Sequence, residues 1–243
     1  MVDVNALVAY LKEGIKLIQP SIPTIVGAIL TSVFLRKDTQ TSEFVKIKNG
    51  LFQEAAEELL ENGRMTYYEF YKCKNFLEVA ALADKYFNEK KESVSQRILD
   101  FDWFIRFYES SGSISSEEMQ KYWAKLLVNA VNNNHIENKI YIDILGKLSY
   151  LEAKIIEKIY NYPFDVLQHK TLLTYNLPNS IEIQDDKKND EFPALNSFEI
   201  ELTLINLSRL GCISLGKSWG GGEFNSLIHV TLLGKYFYEA CNT

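Results

Sequence analysis

The sequence predicts a mostly α-helical protein with one small β-hairpin near its C-terminus. Three observations carry this. Apolar residues recur at helical spacing along most of the chain. Three S/T-x-x-E capping boxes, Thr66/Glu69, Ser115/Glu118 and Ser149/Glu152, each open such a run. Gly220-Gly221-Gly222 separates two short runs of strand-forming residues, Cys212 to Leu215 and Ser226 to Thr231. With 47% hydrophobic residues, the chain can build a real core and is not a disordered chain.

Taken in order, Val4, Leu7, Val8, Leu11, Ile15 and Ile18 space as an amphipathic helix. Leu17 to Leu35 then runs nineteen residues without a charge, and Arg36 and Lys37 follow. That is about the length of a membrane span. A helix starting at Pro23, however, would have only about 13 residues, or roughly 20 Å. The stretch reads as a buried or self-associating core helix, or as a transmembrane or interfacial segment. A cleaved signal peptide is disfavoured, because no A-x-A-like site follows and the charges sit on the wrong side. Ile18, Ile22, Ile25, Val26, Ile29, Leu30, Val33 and Phe34 are the expected membrane or assembly residues. Lys12 and Lys16 oppose Arg36 and Lys37, so the flanks do not orient a span.

After a polar hinge at Lys37 to Ser42, Phe44 and Ile47 lead to Gly50. Phe52, Ala55, Ala56, Leu59 and Leu60 then make a helix that Asn62-Gly63 ends as a glycine cap. The helix opened by Thr66/Glu69 is apolar around much of its girth and is expected between partners. Asn88 to Ser95 reads as a charged connector. Trp103, Phe104, Phe107 and Tyr108 on one short helix supply aromatic surface for the next, on which Met119, Trp123, Leu126, Leu127 and Ala130 share a face. Ile140, Ile144, Leu145 and Leu148 mark a short helix, and Ser149/Glu152 opens another that Pro163 closes. Leu172 to Ile183 mixes β-branched and turn residues, and Gln184 to Glu191 is an exposed loop. Phe198, Leu202, Ile205, Leu207 and Leu210 predict a helix ending at Gly211. The hairpin and a last helix after Thr231 complete the order helix, helix, β-hairpin, helix, which is that of a winged-helix-like domain. The implied division is residues 1–38, 39–95, 96–148 and 149–243.

Net charge is −6 and the pI is about 5.3. That balance argues against strong nonspecific nucleic-acid binding and leaves a local basic patch open. Residues 149–243 hold eight basic and twelve acidic residues. The helix expected to read a DNA groove carries Glu199 and Glu201 against Arg209, and the wing offers Lys217 and Trp219. Those three, Arg209, Lys217 and Trp219, are the candidate nucleic-acid contacts, and protein contact is the favoured use of the domain.

Gly211 to Ser218 fits G-x-x-x-x-G-K-[ST], the phosphate-binding loop. Phosphate binding needs a strand before the loop and a helix after it. Here Trp219 and three glycines follow, and Cys212 to Leu215 looks like a strand. Glu152-x-Lys154 has the spacing of a metal-dependent nuclease pair, but Glu152 already has a capping role. Asp100 and Asp102 suit a helix start, where negative charge is favoured. Cys73, Cys212 and Cys241 are far apart and read as free thiols of a reducing cytoplasm, and His135, His169 and His229 lack metal spacing. No catalytic residue, metal or cofactor is therefore expected.

Several runs carry a resemblance. They are DWFIRF from Asp102, SSEEMQKYWAKLL at 115–127, ILGKLSYLEAKII at 144–156, LINLSRLGCI at 204–213 and VTLLGKYF at 230–237. Together they resemble the Abi-alpha (abortive infection alpha) proteins and related bacterial domains of unknown function, over roughly residues 100–240. The resemblance implies antiviral defence or toxin-like growth arrest and brings no catalytic residues. The expectation is a non-enzymatic defence protein, acting by membrane association or self-assembly and by partner binding. It would form a homo-oligomer or hold a protein partner, in the cytoplasm or at the inner membrane. The alternatives are a winged-helix DNA-binding regulator and, less favoured, a P-loop nucleotide-binding enzyme.

Overall fold

A computed structural model describes residues 42–90, 99–133, 135–184 and 197–242. The apolar stretch Leu17–Leu35, with its eight membrane or assembly residues, lies outside them. Among the described residues there are nine helices and four strands, and no helix is long and apolar enough to cross a membrane. The chain divides into two compact units at Ile142/Asp143.

In the first unit, α1 (Ser42–Glu61) runs unbroken through Gly50. Gly63 ends it with φ +65°, where a side chain would be strained. The Gly63 N–H donates to the Leu60 carbonyl and the Arg64 N–H to the Leu59 carbonyl, the paired bonds of a Schellman cap. α2 (Tyr67–Lys90) opens on the expected box. The Thr66 N–H donates to the Glu69 carboxylate at 2.8 Å, and the Glu69 N–H returns to Thr66 Oγ1 at 3.3 Å. α2 continues through Asn88 to Lys90, into what the sequence suggests is connector, and residues 91–98 are outside the described set.

α3 (Phe101–Ser111) is capped by Asp100, whose Oδ1 accepts from the Trp103 N–H at 2.9 Å. α4 (Glu117–Asn132) is capped by Ser116 rather than Ser115. The Met119 N–H donates to Ser116 Oγ at 3.4 Å, and the Ser116 hydroxyl donates to Glu118 at 3.0 Å. Ser115 instead bonds the Tyr71 side chain. α2 packs against α1, α3 and α4, as expected of a helix apolar around its girth. Its Phe76 is the hub, meeting Phe104, Phe107 and Tyr108 edge-on at 5.3–6.4 Å. Trp103 stacks on Phe107, and Trp123 of α4 meets Phe107 edge-on. Such offset and T-shaped pairs add to the stabilisation from burial alone.

α5 (Lys139–Leu145) contains the division between the units. In the second unit, α6 (Tyr150–Tyr160) opens on the Ser149/Glu152 box, with both reciprocal bonds present. A single turn, α7 (Phe164–Leu167), follows Pro163. The sheet is larger than the expected hairpin. β1 (Leu172–Leu173), β2 (Glu182–Ile183), β3 (Ile213–Lys217) and β4 (Glu223–Val230) form an antiparallel sheet in the order β2-β1-β4-β3. The two added strands, β1 and β2, are two residues long each, too short to show alternation in sequence. Their place comes from pairing, with Leu172 opposite Ile228. α8 (Phe198–Arg209) packs on α6 and on the β3–β4 hairpin, and α9 (Leu232–Cys241) packs on α6. Ile155, Ile159, Leu172, Leu204, Leu207, Cys212 and Ile228 form the core of this unit. Burial pushes the Cys212 thiol up to about 12 and, in the first unit, the Cys73 thiol up to about 11. Neither is then an activated nucleophile at neutral pH.

Candidate interaction surface

α8 has two apolar faces. Ile200, Thr203, Leu204 and Leu207 are buried, and they anchor the helix in the second unit. Phe198, Leu202 and Ile205 are 74%, 51% and 49% exposed. The helix is where the sequence predicts it, and these three of the five residues that mark it turn outward. The run FEIELTLINLSR has apolar residues on two sides, and periodicity alone does not say which side is covered.

Arg209 extends the exposed row. At about 100° per residue, positions 198, 202, 205 and 209 fall within an arc of about 60°. Arg209 is held by Asn206, whose Oδ1 accepts from its Nε at 3.2 Å and its Nη2 at 2.7 Å. The Asn206 amide in turn donates to Glu152 Oε1 at 2.5 Å. Glu152 is only 7% exposed, and its other oxygen accepts from the Ser149 N–H of the capping box. A buried cap carboxylate thus orients an exposed guanidinium through one amide. Sequence reasoning gives Glu152 the capping role and misses the link to Arg209, which joins residues more than fifty positions apart. Lys154, the other half of the nuclease-like pair, lies over the Tyr150 ring.

The three candidate nucleic-acid contacts sit on three different elements. Arg209 is in the last turn of α8. Lys217 closes β3 opposite Glu223, so an acidic side chain stands across from it in the ladder. Trp219 is fully exposed on the turn between β3 and β4. That turn is built by Ser218, whose N–H donates to the Gly222 carbonyl and whose Oγ accepts from the Gly222 N–H, with Gly221 at φ +82°. α8 itself has Glu199 and Glu201 in its first turn.

The G-x-x-x-x-G-K-[ST] match divides between other roles. Gly211 is the C-terminal cap of α8, at φ +75°, with the Cys212 N–H bonded to the Leu207 carbonyl. Ile213 to Lys217 is antiparallel strand, and Ser218 begins the turn. The strand–loop–helix arrangement that cradles phosphate is not formed by this stretch. Among the described residues, no group of three or more His, Cys, Asp or Glu side chains could hold a metal. A depression beside the end of α6 is lined by Lys158, Asn161, Tyr162, Asn179, Ser180 and Ile181.

Beneath this surface, Tyr160 joins the elements. Its buried hydroxyl bonds the Cys212 carbonyl at 2.5 Å and accepts from the Thr231 N–H at 3.0 Å. Thr231 caps α9, its Oγ1 accepting from the Gly234 N–H at 3.0 Å and donating to the Gly211 carbonyl at 2.6 Å. The L-x-R-L-G and V-T-L-L-G runs are therefore the two ends of one buried joint. No curated protein and no solved structure matches the chain. The model of the family described as abortive infection alpha (Abi_alpha) matches residues 107–241, from the aromatic helix through this joint to the last helix. That is more than half of the sequence, and the chain belongs to the abortive infection alpha family.

Proposed function

We propose that this is a non-enzymatic, abortive-infection-type defence protein that acts by holding a protein partner through its C-terminal unit. On this reading Leu17–Leu35 supplies self-assembly or association with the inner membrane. Family membership supports the defence role. The partner-binding role rests on the outward row of α8. Three large apolar side chains lie in line on a helix whose opposite face is buried. A contiguous exposed apolar patch of this kind marks an interaction surface. The pairing of β1 with β4 beside the β3–β4 hairpin supports a winged-helix-like reading of the unit. In such a domain α8 is the helix that would enter a DNA groove. Its face is apolar and its first turn acidic, which suits protein better than phosphate.

Phage challenge of bacteria expressing the full chain tests this. Leu202→Glu changes an exposed position, so we expect wild-type folding by circular dichroism together with loss of protection. Undiminished protection by that variant would defeat the partner-binding role. The second reading, a DNA-binding regulator, is favoured by Lys217 and Trp219 at the hairpin tip. A mobility-shift assay with the promoter of its own operon at low salt separates the two. No shift is expected, and a salt-dependent shift would replace the first reading.

A further inference from the structure

We propose that the partner of α8 is α8 of a second copy of this chain, packed antiparallel about a two-fold axis at the helix midpoint. This rests on the reading of the exposed row as a protein-contact face. It follows from the polarity of that row. Phe198 stands at its N-terminal end, Leu202 and Ile205 at its centre, and Arg209 at its C-terminal end. The midpoint of Phe198–Arg209 falls between Thr203 and Leu204. A two-fold axis there sets Leu202 against the partner's Ile205, and Ile205 against the partner's Leu202. It sets Phe198 beneath the partner's Arg209, so that each end of the row closes with a guanidinium over an aromatic ring. The same operation brings each acidic first turn, Glu199 and Glu201, toward a basic last turn. Parallel pairing would instead place Arg209 beside the partner's Arg209 and acid beside acid. The row is therefore self-complementary in one orientation, as an isologous contact requires.

Two further observations fit this use. Arg209 is already held by Asn206, and Asn206 by Glu152, so less side-chain freedom is lost on pairing. That hold uses two of the five guanidinium donors and leaves others for an acidic partner residue. The helix is about 18 Å long, and one row on it covers a few hundred Å² per copy, well under the roughly 800 Å² per partner of a standard interface. The pairing is accordingly weak, with a dissociation constant in the micromolar range or above. It therefore depends on concentration and is strengthened wherever copies are gathered.

Sedimentation equilibrium of the full chain over about 1 to 200 μM, a range that brackets such a constant, tests the proposal. We expect a concentration-dependent increase in mass. Leu202→Glu should remove the part of that increase that α8 supplies, leaving only what Leu17–Leu35 supports, and Arg209→Glu should weaken the α8 contact by about tenfold or more. The double variant Glu201→Arg/Arg209→Glu should recover a large part of the loss, a rescue that a folding defect would not show. A mass increase indifferent to both single substitutions would overturn the proposal, because assembly would then lie elsewhere. A chain that stays monomeric throughout, yet loses phage protection on Leu202→Glu, would also overturn it while leaving the protein-contact reading intact. A monomer whose protection survives Leu202→Glu would remove both.

Discussion

Gly234 has no room for a side chain. A Cβ there would fall well inside van der Waals contact with both the Cys212 carbonyl oxygen and the Tyr160 hydroxyl. One of these is backbone, anchored by the cap of α8, and cannot swing aside. Gly234→Ala should therefore destabilise by about 3 kcal/mol, at the upper end of ordinary overpacking. Tyr160→Phe removes the hydroxyl that the Thr231 N–H donates to, and should cost about 1–2 kcal/mol. Urea unfolding measures both, and the double variant should cost less than the two losses added. Removing the hydroxyl relieves one of the three clashes that the alanine creates, leaving those with the Cys212 carbonyl and with the ring carbon Cζ of residue 160, so the two sites share one contact. Equal and additive small losses would mean that the joint is looser than its geometry. The glycine of V-T-L-L-G is visible in the sequence as part of a pattern. Its reason is not, because Tyr160 and Cys212 reach it only through the fold.

At the level of elements, the helix starts are legible because each cap is a local event. Thr66/Glu69 and Ser149/Glu152 form as the sequence predicts. The slip from Ser115 to Ser116 has a local cause too, since the S-S-E-E doublet offers two adjacent caps and spacing cannot choose between them. The two-residue strands β1 and β2 are not legible, because they exist only through long-range pairing. The covered side of α8 is hidden for the same kind of reason: burial depends on what lies opposite. The Thr66/Glu69 cap also has a pH signature. Bonds from the Thr66 N–H and hydroxyl hold the Glu69 carboxyl below its ordinary range. The folded chain then releases that proton more readily than the unfolded one. Its stabilising effect is complete above the ordinary Glu range of about 4.3 and is lost as pH falls through the lowered folded value. Glu69→Gln should lower the melting temperature slightly at neutral pH and leave the acid end nearly unchanged, which flattens the acid limb of the profile between them. An acid limb as steep as wild type would show that other carboxylates dominate it.

Across the whole molecule, the family signal lies where the packing motifs lie. The match at residues 107–241 covers the end of α3, α4 and nearly all of the second unit, close to the span of the motifs that carry the resemblance. What it leaves out at the N-terminal side is residues 1–106, including the nineteen uncharged positions of Leu17–Leu35. The ring cluster around Phe76 and Phe107, with Trp103 and Trp123 in it, is built from α2, α3 and α4. Deleting residues 1–36 should preserve the near-ultraviolet circular dichroism of buried Trp103 and Trp123 while abolishing phage protection. Fractionation then decides how the stretch acts. A helix from Pro23 to Leu35 spans roughly 20 Å against a hydrocarbon core of about 30 Å. Assembly is thus the physically easier use, and we expect the full chain to leave the membrane pellet on mild salt washing and to sediment as a larger species than the deletion. Such assembly would raise the local concentration of the second unit and populate a contact at α8 too weak to form between dilute monomers. Retention of the full chain in the pellet until detergent is added, with the deletion wholly released, would instead assign the stretch to lipid.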